Sequence, residues 1–488
     1  EDLRARYESV KRVAPDRVAT SHAAAPNLFT SPLGGDGSPD DWRMAKVVDF
    51  WGTSFYPKHS FPVGRDPAWR SALLDFTRSA TGERGFWVGE LQAGFGTVAL
   101  RISSTVTPSD LRIWMWSTVA HNAKAVNVYA WYPMSSGYES GGFGLIHLDG
   151  RLTDRARAAG DVAKTITRHA ELLKNARSQP AEVAIVYNPL SYMVGGRRPL
   201  VAAGAQGEVT NIERNSLLGT YRAIFPMNVG VDFVHLNELS SGAAVRYKVI
   251  FLPYPLMISE SASRALARFV RDGGTLVAEA RAAWNDERGR AKEIIPGHGL
   301  HEVCGCRETS VQSTPTAKTE MVVVSEFAGL RVGEKLKGVL YEESFETAPH
   351  AETIARFADG TSALTVARHG KGRMITIGTF LGAAYEADRD ETTARFLRGI
   401  VESSGVTRPV DSSAPLEIRV MRSGAETLIF AFNHAAQPVE AEILIRTGTA
   451  RSARDVETGA AVGISEGRIR RRFDPESVWV VAVRHDPR

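Results

Sequence analysis

A single carboxylate, Glu90, lies in the segment FWVGELQAGFG (residues 86–96), between an apolar run and a glycine-rich turn. A carboxylate at the end of a buried strand can act as a nucleophile toward an anomeric carbon or as a general acid/base. It can equally form a salt bridge at the mouth of a sheet. Gly89, Gly94 and Gly96 leave space beside the carboxylate. From the local sequence alone, both interpretations stay open.

Aromatic residues accompany Glu90 at the ends of the predicted strands. They are Trp51, Phe55, Tyr56, Trp87, Trp131 and Tyr132. Aromatic faces suit the C–H-rich faces of sugar rings, and the polar tips of Tyr and Trp supply hydrogen bonds. A single Trp in a strand is usually a core residue, but aromatic residues at successive strand ends beside a carboxylate favour a carbohydrate site. Glu139, in the glycine-rich loop YPMSSGYESGGFGL, is either a solvated loop acid or an acceptor for sugar hydroxyls.

The elements that must position these residues alternate between strand and helix in the first third of the chain. Strands are predicted within RVATSHAA, AKVVDFWGTSFYP, GFWVGEL and AVNVYAWYP, and helices at Glu1 to Val13, at 67–79, from about Pro108 and at Thr153 to Asn175. Apolar strands with helical crossovers indicate a parallel sheet whose carboxyl ends carry the chemistry. Four such units make half of an eightfold barrel.

Two further segments follow. After Gln179-Pro180, strands and helices alternate again, which predicts a second α/β domain of the open-sheet type. Its RDGG sequence follows a helix and is therefore a helix C-cap, not a phosphate-binding loop. After Thr407 the helix signals stop and short alternating strands predict a small antiparallel β domain. The predicted domains are 1–178, 179–406 and 407–488.

Composition narrows the classes of function. Lys and Arg number 59 and Asp and Glu 55, so the net charge is +4 and the charges are interspersed. The basic run RIRRR (468–472) is either a nucleic-acid patch or a charged strand edge, and we favour the edge and expect no nucleic-acid partner. Two cysteines exclude a disulfide framework. Cys304 and Cys306 are expected to be loop thiols, because a zinc site would need more ligands than the nearby His298 and His301. Without an apolar run of about 18 residues, no membrane span is expected.

Several motifs in order resemble glycoside hydrolase family 42, the β-galactosidases of clan A. They are VGELQAG, TPSDLRIWMWSTVAHNAKAVNVYAWYP and ESGGFGLIHLDGRLTDRA in the first domain. The second domain, from AEVAIVYN to RFVRDGGTLVAEA, resembles that family's trimer-forming domain. The resemblance implies an α/β fold: the C-terminal half of a (β/α)₈ TIM barrel, then a flavodoxin-like (amidotransferase-like) trimerisation domain, then a small antiparallel β-sandwich-like domain.

The resemblance also implies retaining hydrolysis of terminal β-D-galactosides, with Glu90 as the nucleophile. No cofactor is expected, and no residue of this chain is predicted to bind a metal, since Cys304 and Cys306 do not match the family's cysteine zinc cluster. Glu139 matches the family's loop Glu that binds galactose hydroxyls, and Trp131 matches the Trp at the end of the eighth strand. Tyr56 and Trp51 complete the expected substrate-binding residues. The expected substrate is a β-galactoside or a related oligosaccharide.

One departure keeps the substrate open. Gly142 stands where many members of the family have a His. Another clan A β-glycosidase, acting on arabinopyranosides or fucosides, is therefore an alternative. A non-catalytic carbohydrate-binding homologue is a second alternative.

The family pattern makes the strand of Glu90 the seventh barrel strand, so the chain would begin after the fourth. In this clan the fourth strand ends in an Asn-Glu pair whose Glu is the acid/base. The only Asn-Glu pair here is Asn237-Glu238, in the second domain. We therefore expect a fragment that is inactive by itself, whose full-length form is an active, cytoplasmic homotrimer.

Overall fold

The computed structural model describes residues 1–24, 40–59, 66–99, 101–195 and 211–485, and these divide into two compact units. The first unit combines the chain up to Pro180 with the chain from Arg408 onward. The second unit runs from Ala181 to Thr407. No helix within the described ranges is both long and apolar enough to cross a membrane.

Four parallel strands form the sheet that carries Glu90, in the order β1-β2-β3-β6. The strands of this part of the chain are β1 (Thr20–Ala23), β2 (Phe50–Phe55), β3 (Phe86–Gln92), β4 (Thr97–Val98), β5 (Arg101–Ile102), β6 (Ala123–Tyr129) and β7 (Arg177–Ser178). The helices are α1 (Asp2–Val13), α2 (Asp41–Ala45), α3 (Pro67–Thr81), α4 (Pro108–Ala120), α5 (Asp154–Arg168) and α6 (Ala170–Asn175). The predicted sheet of four parallel strands with intervening helices is confirmed.

Local signals explain where these helices begin and end. The Asp66 side chain accepts a hydrogen bond from the Ala68 N–H at the start of α3. Thr107 and Asp110 form a capping box at the start of α4, so the predicted start at Pro108 is confirmed. The prediction of one helix from Thr153 to Asn175 is wrong, because the backbone leaves helical geometry at His169 (φ −109°, ψ 27°) and α6 begins anew.

The second unit is built on a nine-stranded sheet in the order β13-β12-β14-β15-β16-β11-β10-β8-β9. Its strands are β8 (Val183–Tyr187), β9 (Val231–His235), β10 (Val249–Leu252), β11 (Thr275–Ala278), β12 (Cys306–Val323), β13 (Lys335–Thr347), β14 (Ala351–Arg356), β15 (Ser362–His369) and β16 (Gly372–Ile377). Its helices are α7 (Pro189–Gly195), α8 (Ile212–Ile224), α9 (Leu236–Leu239), α10 (Glu260–Arg271), α11 (Leu300–Cys304), α12 (Leu381–Asp388) and α13 (Glu391–Ser403). The five strands from β16 to β9 are parallel, as an open α/β sheet requires.

The two cysteines lie in the core of the second unit. Cys304 ends α11, Cys306 begins β12, and both pack with Leu300 and Val303 in one apolar cluster. Their Sγ atoms are 2.9 Å apart. The prediction of loop thiols is therefore wrong, because these side chains fill a helix–strand junction. Within the described ranges, no cluster of three or more His, Cys, Asp or Glu side chains is placed to hold a metal ion.

The chain from Arg408 onward forms two antiparallel sheets, the second of which also includes β7. Their orders are β17-β20-β23 and β22-β21-β24-β19-β18-β7. The strands are β17 (Val410–Ser412), β18 (Glu417–Ser423), β19 (Glu426–Asn433), β20 (Val439–Ile445), β21 (Ala450–Asp455), β22 (Ala461–Val462), β23 (Arg468–Phe473) and β24 (Ser477–His485). The basic run lies in β23, at a sheet edge, where Arg468 and Arg470 pair with Glu442. The charged-edge interpretation is confirmed.

A buried ion network joins this β segment to helix α3 within the first unit. Ser71 donates to Glu417 at 2.5 Å, and Arg419 binds Asp75 at 2.9 Å. His434 Nε2 lies 2.7 Å from Glu417. Buried charges are tolerated when they are paired and hydrogen-bonded. This network therefore fixes α3, the helix between β2 and β3, against the β segment.

Candidate active site

Glu90 lies near the carboxyl end of β3, the strand between β2 and β6. The pairing of β2 with β3 slips by one residue at this point, so that Ser54 stands opposite Glu90 rather than opposite Gly89. A Cβ atom at Gly89 would lie 2.5 Å from Nδ1 of His22. Glycine therefore allows the strand to pack against His22 while the slip turns Glu90 toward the strand ends.

The two oxygens of the Glu90 carboxylate have different neighbours. Oε2 accepts hydrogen bonds from Ser54 Oγ at 3.1 Å and from Tyr56 Oη at 2.9 Å. Oε1 lies 3.8 Å from His22 Nε2, beyond hydrogen-bonding distance. Burial, followed by the neighbouring carboxylate of Glu90, raises the pKa of Tyr56 far above its usual value. Tyr56 therefore keeps its proton at neutral pH and donates it to Glu90.

Gln92, two residues after Glu90, is fully buried and fixes the turn that follows β2. Its Oε1 accepts the backbone N–H groups of Lys58 at 2.9 Å and His59 at 3.1 Å. Its Nε2 donates to the carbonyl of Gly94 at 2.9 Å. One amide side chain therefore ties the turn after Tyr56 to the glycine-rich turn after β3.

Four rings form an aromatic cluster, defined as Tyr56, His59, Tyr129 and Phe143. The Phe143 ring contacts each of the other three edge-on, with centroid distances of 5.0 to 5.8 Å. Tyr129 Oη donates to Glu139 Oε2 at 3.2 Å. Because Tyr56 binds Glu90 and Tyr129 binds Glu139, the cluster brings both carboxylates to one end of the sheet.

The loop that carries Glu139 is anchored on the turn after β3. The Phe143 N–H donates to the Phe95 carbonyl at 2.7 Å, and the Ala130 N–H donates to the Phe143 carbonyl at 2.8 Å. A Cβ atom at Gly94 would lie 2.6 Å from the Gly144 carbonyl oxygen. The glycines therefore permit two backbone segments to touch, which fixes the position of the Glu139 loop.

The predicted site residues divide into three groups. The structure brings Glu90, Tyr56 and Glu139 together. Trp131 follows β6 and its ring is 58% exposed, as a rim position requires. Trp51 is buried instead: it stands near the amino end of β2, only 4% exposed, and its Nε1 donates to Asp41 at 2.9 Å. A buried ring at the opposite end of the strand is a core residue.

Three residues of the site were not predicted from the sequence: Ser54, Gln92 and Phe143. Side chains two apart in a strand share a face, so Ser54 follows from Tyr56, and Gln92 follows from Glu90. Phe143 carries no such signal, because it reaches the cluster from a loop and adopts a left-handed conformation, with φ of 65°. A partly exposed carboxylate with one oxygen held by two hydroxyl donors is suited to covalent or acid/base catalysis.

Two family models match most of the chain. Residues 2–169 match the glycoside hydrolase family 42 model described as "Beta-galactosidase". Residues 181–406 match the model described as "Beta-galactosidase trimerisation domain".

Individual relatives agree with these matches. The β-galactosidase LacZ of Heyndrickxia coagulans is 26% identical over 84% of this chain and 58% of its own length. The β-galactosidase BgaA of Thermus sp. is 26% identical over 87% of this chain and 61% of its own length. The crystal structure of a β-galactosidase from Bacillus circulans sp. alkalophilus superimposes with a TM-score of 0.80 at 20% identity, over 99% of this chain and 66% of that one. At this identity the superposition shows a shared fold. The chain spans about three fifths of the length of these curated relatives.

Proposed function

Because this chain belongs to glycoside hydrolase family 42, we propose that the protein cleaves terminal β-D-galactosides with retention, through a covalent glycosyl-enzyme on Glu90. One observation carries the proposal. The Glu90 carboxylate stands at the carboxyl end of a parallel sheet, with Oε2 held by Ser54 and Tyr56. Active sites of barrel enzymes lie at that end.

The reaction has two displacements. The Glu90 carboxylate attacks the anomeric carbon, the bond to the leaving oxygen breaks, and its electron pair departs with that oxygen. Water then attacks the same carbon, and the carboxylate leaves. A general acid/base about 5–5.5 Å from the nucleophile protonates the leaving oxygen and later activates the water. None of the 488 residues is assigned to that second role.

Substrate contacts are proposed for Glu139 and Trp131. Glu139, oriented by Tyr129, would accept hydrogen bonds from sugar hydroxyls. The exposed ring of Trp131 offers an apolar face to the sugar. The aromatic cluster beneath them supports both positions.

At the level of architecture, we propose that the four parallel strands are strands five to eight of a (β/α)₈ barrel. The match of residues 181–406 supports a trimerisation role for the second unit, and hence a homotrimer. Sedimentation equilibrium would test this state. A cytoplasmic location stays a prediction from the low cysteine content.

Covalent trapping tests the nucleophile without depending on the general acid. The probe is a 2-deoxy-2-fluoro-β-D-galactoside with a 2,4-dinitrophenolate leaving group, which departs without protonation. We expect the labelled protein to carry one fluorosugar on the peptide that contains Glu90, identified by mass spectrometry. Glu90→Gln should abolish labelling. In the full-length protein it should also lower the rate of galactoside hydrolysis by on the order of 10⁴- to 10⁶-fold, as removal of a covalent catalytic group does.

The control is Glu83→Gln, which removes an exposed carboxylate from the turn before β3. It should label at the normal rate. Label on a carboxylate other than Glu90, or full activity of Glu90→Gln, would refute the assignment. The corresponding fluoro-arabinopyranoside and fluoro-fucoside distinguish the alternative substrates: faster trapping by either one would exclude galactose as the preferred sugar.

A further inference from the structure

The asymmetry of the Glu90 carboxylate distinguishes its two oxygen atoms. Oε2 receives two hydroxyl donors, whereas His22 Nε2 lies 3.8 Å from Oε1, beyond hydrogen-bonding distance. An oxygen that accepts two hydrogen bonds at 2.9 and 3.1 Å is oriented and partly withdrawn as a nucleophile. The other oxygen keeps its lone pairs directed away from these donors.

Ser54 reaches Oε2 because of the slip in strand pairing. Thr53 pairs with Val88, and the next pair is Ser54 with Glu90, so one residue of β3 is passed over. Ser54 is only 2% exposed. Its neighbour Thr53 is fully buried as well, but the Thr53 hydroxyl donates to the Ser54 carbonyl at 2.9 Å. Two adjacent buried hydroxyls therefore have different partners, one the carboxylate and the other the main chain.

We propose that Ser54 is a positioning residue for the nucleophile: by holding Oε2 together with Tyr56, it makes Oε1 the atom that attacks the sugar. The inference rests on the proposed role of Glu90. When Oε1 forms the bond to the anomeric carbon, Oε2 becomes the carbonyl oxygen of the glycosyl ester. In the second displacement the bond between Oε1 and the sugar breaks, its electron pair returns to the carboxylate, and water supplies the new oxygen.

The Ser54 hydroxyl donates to the oxygen that regains negative charge in the second displacement. As the carboxylate leaves the sugar, this hydrogen bond stabilises the charge that returns to Oε2. Loss of the hydroxyl should therefore lengthen the lifetime of the covalent intermediate, which a purely structural residue does not control.

The test compares Ser54→Ala with Ser54→Thr, which keeps the hydroxyl, and with Thr53→Val, which removes the adjacent one. Each variant is made in the full-length protein and trapped with the dinitrophenyl 2-fluoro-galactoside. Reactivation is then measured after the excess reagent is removed. For Ser54→Ala we expect reactivation to slow about tenfold. Ser54→Thr and Thr53→Val should reactivate within about twofold of the parent rate, since a hydrogen bond to the carboxylate persists in each.

Two failures are distinguishable. If the parent protein is not labelled on Glu90, the proposed function fails. If the parent is labelled but Ser54→Ala reactivates as fast as Thr53→Val, the positioning role fails while the proposed function stands. Should Ser54→Ala not fold, Ser54→Cys preserves the volume with a weak donor. Ser54→Cys must then also reactivate more slowly than the parent, and the parental rate would overturn the proposal.

Discussion

Tyr129 determines where Glu139 points, because its hydroxyl donates to Glu139 Oε2 at 3.2 Å while its ring packs against Tyr56 and Phe143. Burial raises the pKa of Tyr129, so the hydroxyl keeps its proton and remains a donor. One substitution separates the two contributions: Phe preserves the ring and removes only the hydroxyl. The proposed role of Glu139 in sugar binding can thus be examined without disturbing the aromatic cluster.

For Tyr129→Phe in the full-length protein we expect KM for a nitrophenyl galactoside to rise about tenfold, with kcat changed less, because a hydrogen bond to a charged group contributes about 1.5–3 kcal/mol. Steady-state kinetics measures both constants. The matched control is Tyr132→Phe, since the Tyr132 hydroxyl donates to the Leu148 carbonyl and not to Glu139. An equal rise in KM in both variants would contradict a specific role for Tyr129. A fall in kcat alone would indicate instead that Glu139 stabilises the transition state.

The site was predictable from the sequence to the extent that its residues stand at strand ends. Glu90, Tyr56 and Glu139 follow or end apolar strands, and parallel strands bring their carboxyl ends to one edge. Trp51 was predicted at a strand end but lies near the start of β2. Whether an aromatic residue lies at the site or in the core can be told only once the bounds of its strand are known. The contacts of Phe143 depend on a loop conformation that no local pattern encodes.

At the scale of elements, the glycine-rich turn after β3 depends on close contact between two backbone segments. The carbonyl of Gly144 stands 2.6 Å from where a Cβ on Gly94 would be. A main-chain atom cannot swing aside as a flexible side chain can. Gly160, by contrast, lies inside helix α5 with no heavy atom within 4 Å of a built Cβ. Replacement by alanine is therefore expected to have opposite effects on stability at the two positions.

Gly94→Ala should lower the free energy of unfolding by about 1–3 kcal/mol through overpacking. It should also weaken sugar binding, because the Glu139 loop must move. Gly160→Ala should raise the free energy of unfolding by about 0.5–1 kcal/mol, since alanine is the better helix former. Urea denaturation measures both. If Gly94→Ala proves as stable as the parent protein, the close contact between the two turns is not a constraint.

Element type was predicted for the apolar parallel strands, whereas strands β12 and β13 were not predicted from the sequence. The parallel strands are short apolar runs bounded by helices, a pattern with one interpretation. Strand β12 covers Cys306–Val323, whose sequence CRETSVQSTPTAKTEMVV is mostly polar, contains Pro315 and has register shifts at Glu308/Ser310 and Thr314/Lys318. Pairing with β13 holds this segment in a strand, although its own composition does not indicate one.

At the scale of the whole molecule, the chain after Arg408 completes the first unit although it is remote in sequence. Ser71 and Glu417, 346 positions apart, share a buried hydrogen bond. The change in composition near Thr407 predicts a new β segment but not what that segment packs against. Long-range ion pairs are specified by geometry, not by local pattern. The predicted domain boundaries therefore stay a prediction, while the compact units follow from these contacts.

The buried titratable groups give the two units opposite responses to pH. In the first unit, burial and then the charge of Arg419 lower the pKa of His121 to about 4. Burial alone would raise the pKa of Glu417, but His434 and Arg419 outweigh it and lower the pKa. In the second unit, burial raises the pKa of Glu279 to about 7 and raises that of Glu343 as well. Glu279 nevertheless accepts the N–H groups of Tyr254 and Gly382 at the start of α12.

The signs follow from the proton counts of the folded and unfolded chains. Below its unfolded pKa of 6.5, unfolded His121 binds a proton that folded His121 rejects, so the first unit loses stability as the pH falls from 6.5 toward 4. Folded Glu279 holds a proton between 4.5 and 7 that the unfolded chain releases, so the second unit gains stability as the pH falls through that window. Each shift spans 2.5 pH units (6.5 − 4 and 7 − 4.5), a limit of about 3 kcal/mol.

Calorimetry at pH 7 and pH 5 should therefore show two transitions that move in opposite directions, by about 2 kcal/mol or about 4–8 °C each. Two variants show which transition belongs to which unit. His121→Gln should reduce the acid-induced fall of one transition without affecting the other, because glutamine cannot gain the proton. Glu279→Gln should reduce the acid-induced rise of the other, because glutamine has no charge to bury at pH 7. A shift of both transitions in the same direction would contradict the opposition, and so would one pH-independent transition. Opposite shifts would show that acid stability is determined separately in each unit by a few buried groups, although the charges of the whole chain nearly balance.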